Sequence, residues 1–228
     1  MAECDMAGLV LARGGSKGLP GKNLTVLGGK PILLRCLEVM HKAKCLSRVW
    51  VSTDDVAVEE CAKQGGACVH RRASYTATDD ASSLCAVQEF LKCHPEVCMV
   101  CLVQCTSPFL RPHYLQAGVA RLVAGDLDSV FSVTRKRLLR WSEGNPTQAL
   151  NFDPRQRPRR QDWDGELYEN GMFYIAKSEV IMRGLLQGER SAYIEIPEED
   201  SLEIDTPVDL IVAETWLAQR TTREDEST

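Results

Sequence analysis

The chain has 228 residues, of which 44% are hydrophobic, and a formal net charge of −5. This size suits one large α/β domain, and the negative charge excludes a protein that is drawn to nucleic acid by its overall charge. No stretch reaches the roughly 18 consecutive apolar residues of a membrane span. The N-terminal MAECDMAG lacks a signal-peptide pattern, which predicts a soluble intracellular protein.

Hydrophobic runs alternate with amphipathic segments along most of the chain. Strands are predicted at residues 7–12, 48–53, 67–70, 97–104, 129–134, 171–176 and 191–196. Helices are predicted at residues 32–44, 56–64, 83–93, 112–123 and 208–219. Strands separated by helices of this length form right-handed βαβ units, so we predict a doubly wound, mostly parallel α/β sheet.

The alternation stops at residues 136–169, a segment rich in charge, proline and tryptophan. Such a segment predicts an excursion from the sheet that serves as a lid, a dimer arm or both. Its large hydrophobic residues are Leu138, Leu139, Trp141 and Phe152. Because a lone monomer would expose them, we predict a homodimer, or a dimer of dimers, in which the arm crosses toward the partner's site.

The chain contains ten cysteines, and four of them imitate the spacing of an iron–sulfur site: Cys93, Cys98, Cys101 and Cys105. However, residues 98–104 have the pattern of a buried strand, on which residues three apart face opposite sides. These thiols therefore do not converge on one metal. We interpret the scattered cysteines as small buried hydrophobic side chains of an intracellular protein.

A glycine-rich basic loop, LARGGSKGLPGKN at residues 11–23, follows the first predicted strand. It fits neither the Walker nor the dinucleotide-binding pattern, because Ser16 stands where each requires a glycine. Glycines expose backbone N–H groups, and Arg13, Lys17 and Lys22 can offset the charge of a polyphosphate. Ligands of open α/β sheets bind beyond the carboxyl ends of strands. The loop therefore predicts a phosphate site, with a solvated basic turn as the alternative.

The segment from Arg13 to Asn23 resembles the signature of sugar-activating cytidylyltransferases, in particular the CMP-sialic acid synthetase family. Five further segments agree in the expected order: VSTDD (51–55), HRRASYTATDDASS (70–83), QCTSPFLR (104–111), RPRRQDWDGELYENGMFY (157–174) and EIDTPVDL (203–210). The fourth is similar to the vertebrate members. The resemblance covers most of the chain, but only the catalytic half of the vertebrate enzymes, which usually carry a second, phosphatase-like domain.

The resemblance implies one cytidylyltransferase catalytic domain over residues 1–228, with a Rossmann-like sheet of the nucleotide-diphospho-sugar transferase type. It also implies an enzyme that transfers CMP from CTP to the anomeric hydroxyl of a sialic acid and releases pyrophosphate. Two alternatives stay open. One is a cytidylyltransferase for another 2-keto sugar acid, such as deaminated sialic acid or 3-deoxy-manno-octulosonate. The other is a non-catalytic nucleotide-binding or assembly module.

For the nucleotide, the resemblance places Arg13, Ser16, Lys22 and Asn23 at the triphosphate end of the site, beside Lys17 of the same loop. Arg13 and Lys22 are the expected catalytic residues, because cations stabilise the departing pyrophosphate.

Arg71 and Ser82 match the family segment that borders the cytosine. A guanidinium and a hydroxyl can read the donor and acceptors of that base. Ser82 alternatively caps the helix that begins near Ser83.

For the sugar acid, Arg160 lies at the family position that binds the carboxylate, a task that suits an arginine fork. Gln104 and Ser107 match sugar-side polar contacts, while Asn170 and Tyr174 match residues beneath the sugar. Tyr174 is alternatively an ordinary core residue, since aromatic side chains favour strands.

A metal is expected at EIDTPVD, where Mg²⁺, or alternatively Mn²⁺, would find hard oxygen ligands in Glu203 and Asp205. The family pattern has two aspartates here, so Glu203 departs from it by one methylene group. Asp209 is expected in the first turn of the last helix, where negative charge is favourable without a metal.

A basic cluster lies in the predicted arm: Arg155, Arg157, Arg159 and Arg160. It reads either as a nuclear-import signal, since vertebrate relatives are typically nuclear, or as an anion patch at a dimer partner's site. The resemblance favours the nucleus, with the cytoplasm as the alternative.

Overall fold

The computed structural model describes residues 5–15 and 18–226, with side chains described as far as Arg220. The strands are β1 (Asp5–Leu11), β2 (Val26–Leu27), β3 (Lys30–Pro31), β4 (Arg48–Thr53), β5 (Cys68–Arg71), β6 (Val97–Val103), β7 (Ser129–Lys136), β8 (Glu166–Lys177) and β9 (Ser191–Glu195). The helices are α1 (Ile32–Ala43), α2 (Val56–Gln64), α3 (Ser83–Cys93), α4 (Pro112–Ala124), α5 (Ser178–Met182) and α6 (Pro207–Glu226). Single turns of 3₁₀ helix connect several of them.

Seven strands form the central sheet in the order β5-β4-β1-β6-β8-β7-β9, and β2 pairs with β3 in a separate small ribbon. Neighbours β5, β4, β1 and β6 are parallel, as are β7 and β9. Among the described strands of this sheet, only β8 runs against the others, antiparallel to both β6 and β7. The predicted mostly parallel sheet is confirmed, with β8 as its one reversal.

Helices cover both faces of the sheet, because the side chains of each strand alternate between the two sides. On one face, Val10 of β1 packs with residues of α1, α2 and α4 in the larger core. On the other face, Ala7 and Leu9 pack with Val87 and Phe90 of α3. The predicted doubly wound arrangement is therefore present.

Capping side chains define where two of these helices begin. The Asp55 carboxylate accepts a hydrogen bond from the Val58 N–H at the start of α2, 3.0 Å away. The Ser82 hydroxyl accepts one from the Cys85 N–H at the start of α3, 3.1 Å away. Each cap satisfies a backbone donor that has no partner within the helix.

The arm predicted at residues 136–169 is shorter in the structure, since β7 extends to Lys136 and β8 begins at Glu166. These two residues face each other in the ladder, so the arm comprises residues 137–165. Trp141 packs edge-on against Phe152, with ring centroids 5.2 Å apart, yet remains half exposed.

The cysteines divide into buried and exposed members. Cys36, Cys61, Cys101 and Cys105 are buried in the larger core, as predicted, and Cys45 and Cys85 are partly buried. Cys68 and Cys93 are exposed, so the prediction of buried cysteines does not hold for these two. Among the described helices, none combines the length and hydropathy needed to cross a bilayer.

Candidate functional site

A cleft of about 760 Å³ opens at the carboxyl edge of the parallel strands. Leu11, at the end of β1, and Gln104, directly after β6, line the cleft. The loops that follow the strands supply most of its charged side chains. Its polar lining consists of Arg13, Lys22, Asn23, Arg72, Asp79, Asp80, Ser83, Gln104, Thr106, Glu203, Asp205 and Thr206. The cleft thus has the position at which open α/β sheets bind ligands.

The glycine-rich loop brings two of the predicted catalytic cations to this cleft. Arg13 Nη1 lies 2.7 Å from Asp79 Oδ1, and Lys22 Nζ lies 2.7 Å from Asp205 Oδ1. The Asn23 amide donates to the Arg13 carbonyl over 3.0 Å and so anchors the loop beneath the cations. Both cations are held by carboxylates that an anionic ligand could replace.

Glycine is required in this loop for two separate reasons. Gly21 has a φ of 66°, a left-handed conformation that costs other residues free energy. At Gly18 a Cβ atom would lie 2.9 Å from the Asp205 carbonyl oxygen, so the loop can approach the acidic segment only with glycine there. Ser16 and Lys17, which the sequence also assigns to the nucleotide, lie outside the described residues.

Two carboxylates face Lys22 from the segment before α6. Glu203 is partly buried and accepts a hydrogen bond from the Thr106 hydroxyl over 3.0 Å. Burial, and secondly the charge of Asp205, raises the pKa of Glu203. The segment is fixed by the Ile204 N–H, which donates to the Thr106 carbonyl, and by Asp209, which accepts from the Asp205 N–H. The pair forms a site of concentrated negative charge beside a lysine.

Arg72, rather than the predicted Arg71, faces the cleft. Arg72 is buried and donates to the Thr76 hydroxyl over 3.2 Å; burial lowers its pKa, while the Asp54 carboxylate acts in the opposite direction. Arg71 is exposed and lies 2.7 Å from Glu59 of α2. Consecutive residues of an extended segment point to opposite sides, so the structure places Arg72 at the cleft and Arg71 on the side away from it.

Ser82 has the alternative role that the sequence left open. Its hydroxyl is the cap of α3, and its neighbour Ser83 is the serine that lines the cleft. The cap position therefore accounts for Ser82 without a nucleotide.

The residues expected around the sugar lie in different places. Gln104 lines the cleft, whereas Ser107 is buried beneath it and its N–H donates to the Gln104 carbonyl over 3.2 Å. Asn170 donates to the Thr134 hydroxyl over 2.8 Å across β7 and β8. Tyr174 packs beside the α3 layer and donates to Glu169; burial, followed by that hydrogen bond, raises its pKa. In this chain Gln104 alone of these four lines the cleft.

Arg160 lies in a second, basic pocket of about 340 Å³ at the base of the arm. The pocket is also lined by Arg135, Lys136, Arg137, Leu138, Gln161 and Glu198. The cleft of the same chain is lined by other residues. A contact between Arg160 and a sugar acid in a cleft therefore requires a rearranged arm or a second subunit.

Several cleft residues are missed by the sequence interpretation, among them Arg72 and Thr106. The signal for Arg72 is the strand period, since buried His70 and buried Arg72 share one side of the chain and exposed Arg71 the other. Thr106 carries no such signal, because its role arises from a hydrogen bond to Glu203, 97 residues away.

A sequence profile described as cytidylyltransferase matches residues 7–214, which include all the described cleft residues. The chain belongs to the cytidylyltransferase family. The N-acylneuraminate cytidylyltransferase of Oncorhynchus mykiss is 47% identical over 92% of the chain, and N-acylneuraminate cytidylyltransferase A of Danio rerio is 43% identical over 92%. These matches cover 49% and 50% of the two relatives, so the chain spans about half the length of the curated relatives it matches.

A solved structure of a CMP:2-keto-3-deoxy-manno-octonic acid synthetase complexed with CTP has the same fold, with a TM-score of 0.72 and 20% identity. The likeness covers 95% of this cytidylyltransferase-family chain and 99% of that one. The two structures therefore share their fold over nearly the entire length of both chains.

Proposed function

We propose that this chain transfers CMP from CTP to the anomeric hydroxyl of a sialic acid and releases pyrophosphate. The observation that carries the proposal is the cleft, in which Arg13 and Lys22 of one loop face the Glu203–Asp205 segment. The identity to N-acylneuraminate cytidylyltransferases supports the sugar assignment.

The loop cations act on the leaving group. Phosphoryl transfer depends on positioning and on neutralising charge at the departing oxygens. When CTP enters, its phosphates replace Asp79 and Asp205 as partners of Arg13 and Lys22. One such cation stabilises the transition state by roughly 3 kcal/mol, as an oxyanion-hole donor does.

Arg72 is the proposed reader of the cytosine, in place of Arg71. Its guanidinium is buried at the cleft wall, and the hydrogen bond to Thr76 restricts its orientation. A buried, oriented donor discriminates well against a base that leaves it without a partner.

Glu203 and Asp205 fit a divalent cation of the Mg²⁺ type. Burial, and secondly the charge of Asp205, raises the pKa of Glu203, and a hard cation would stabilise its charged form. When bound, such an ion supplies positive charge at the phosphate oxygens. The chain's own contribution is to hold Glu203 through the Thr106 hydroxyl and the backbone of Asp205 through Asp209.

Arg160 is proposed to bind the sugar carboxylate in the cleft of a second copy of the chain. Its placement outside its own cleft and the half-exposed Leu138 and Trp141 on the same arm support a homodimer. The arginine cluster at residues 155–160 additionally supports nuclear import.

The proposal is tested by pyrophosphate release from the purified chain with CTP, Mg²⁺ and N-acetylneuraminate. We expect turnover that requires all three components and falls at least tenfold in Lys22→Ala, with an unchanged melting temperature. Preference for 3-deoxy-manno-octulosonate or deaminated sialic acid would redirect the sugar assignment. CTP binding without turnover of any sugar acid would identify a binding module instead.

A further inference from the structure

A cluster of donor side chains lies away from the cleft, where β5 packs against the end of α3. His70 comes from β5, while Glu89 and Cys93 are one helical turn apart on α3. One donor atom from each lies within 4.8 Å of the other two. We propose that these three residues form a binding site for a zinc-type transition metal ion.

The contacts within the cluster match the donor set of such an ion. His70 Nε2 lies 2.7 Å from Glu89 Oε2, and Cys93 Sγ lies 3.9 Å from Glu89 Oε1. Donors of a tetrahedral zinc ion, each about 2.0–2.3 Å from the metal, are about 3.3–3.8 Å apart. The two observed contacts lie on either side of that spacing, and imidazole, carboxylate and thiolate are all ligands of this ion.

The second nitrogen of His70 supports the assignment. His70 Nδ1 lies 3.2 Å from His94 Nε2, and His94 Nδ1 lies 3.5 Å from Glu96 Oε1. With an ion on His70 Nε2, the Nδ1–H donates to His94, whose own N–H then faces Glu96. Metal-bound histidines commonly donate their other N–H in this way, which fixes the ring and its tautomer.

The burial of the three residues also suits a metal site, because two ligands are shielded from solvent and the third is accessible to an incoming ion. His70 and Glu89 are buried, whereas Cys93 is exposed and leaves a route for the ion. The aromatic ring of Phe90 packs against both histidines, with centroids 5.3 Å from His70 and 4.5 Å from His94. Three protein ligands leave a fourth position for water. The bound ion would join β5 to the C-terminal part of α3.

The test is titration of the reduced, tag-free chain with Co²⁺ and Zn²⁺ in excess Mg²⁺, which occupies the cleft carboxylates. We expect one ion per chain, a thiolate-to-cobalt charge-transfer band and a Zn²⁺-dependent rise in melting temperature. Cys93→Ser should abolish the band and weaken binding at least tenfold, and Glu89→Gln should weaken binding. Cys68→Ser, which removes an exposed thiol of β5 outside the cluster, should change neither.

Three results would overturn the site. One is the absence of saturable binding in the wild-type chain. Another is a band that persists in Cys93→Ser. The third is binding that is lost in Glu203→Gln but kept in Cys93→Ser, which would assign the ion to the cleft. Cys93 is exposed, so its serine variant should fold and keep the experiment decisive.

Discussion

At the scale of single residues, adjacent arginines have opposite environments. Arg72 lies buried at the cleft, while Arg71 is exposed beside Glu59. We expect Arg72→Lys, which keeps the charge but loses the planar fork, to raise the KM for CTP at least tenfold. Arg71→Lys should change it less than twofold. Steady-state kinetics at saturating sugar acid decide between them, and the reverse order would restore Arg71 as the reader of the base.

The same pair shows how far the sequence can locate a site. The resemblance predicts which segment borders the nucleotide, and the period of two along a strand predicts which side chains share a face. The strand period does not show which of the two faces lines the cleft, because the orientation of β5 depends on its pairing with β4. Thr106 and Asp205 are brought to Glu203 and Lys22 by contacts distant in the chain. Only the folded structure provides these.

Glu203 gives a prediction for stability as well as function. A carboxyl whose pKa is raised by folding stabilises the fold below its unfolded pKa and loses that contribution as the pH rises through the folded pKa. At neutral pH without metal, its ionised form therefore destabilises the protein. Glu203→Gln should melt at a higher temperature than wild type at pH 7.5, with the advantage shrinking toward pH 4.5.

Calorimetry with and without Mg²⁺ completes that test. Mg²⁺ should raise the melting temperature of wild type but not of Glu203→Gln. Glu198→Gln is the matched control, because Lys136 lowers the pKa of Glu198 and its neutralisation brings no gain. A Glu203→Gln variant that is less stable than wild type at pH 7.5 would contradict the interpretation.

At the scale of elements, Asp200 joins the segment before α6 to the start of α4 and to α6 itself. Asp200 is buried and accepts hydrogen bonds from Arg111 over 2.7 Å, from Tyr114 over 2.5 Å and from Arg220 of α6. Burial raises its pKa, but these hydrogen bonds outweigh burial and leave the pKa lowered. Such a group stabilises the fold above its unfolded pKa, and the contribution is lost as the pH falls through the folded pKa.

We expect Asp200→Asn to lower the free energy of unfolding at pH 7 by about 2 kcal/mol, because charged hydrogen bonds are replaced by neutral ones. The difference from wild type should diminish as the pH falls below about 4. Denaturant titrations measure both effects. Asp126→Asn, at an exposed ion pair with Arg190, is the control and should cost less than about 0.5 kcal/mol. Equal losses in both variants would remove the special role of Asp200.

The elements themselves were largely predictable, for a physical reason. The bounds predicted for α2 and α3, 56–64 and 83–93, are confirmed, because apolar periodicity and caps are local properties. The direction of β8 was not predictable. A strand has the same pattern in either direction, and its pairing with β6 and β7 is set by the chain that connects them.

At the scale of the whole molecule, the proposed dimer predicts complementation. If Arg160 serves the partner's cleft, a mixed dimer of Lys22→Ala and Arg160→Ala contains one intact site. Equal mixing should therefore recover about a quarter of the wild-type activity. Each variant alone should be nearly inactive, and sedimentation should show dimers at micromolar concentration.

The control mixture contains Lys22→Ala and the double variant Lys22→Ala/Arg160→Ala, which offers no intact pair and should stay inactive. A monomeric chain, or mixtures no more active than their components, would contradict the crossing of the arm.

The arm leaves and re-enters the sheet at one ladder pair, Lys136 opposite Glu166. Opposed Cα atoms of antiparallel strands are about 5 Å apart, so the sheet constrains where the segment starts and stops but not its length. The entropy of closing a longer loop grows only logarithmically. Insertions and deletions between these residues can therefore accumulate during evolution at little cost to folding. Recognition of new partners or substrates can diversify in this arm while the glycine-rich loop and the cleft are inherited intact.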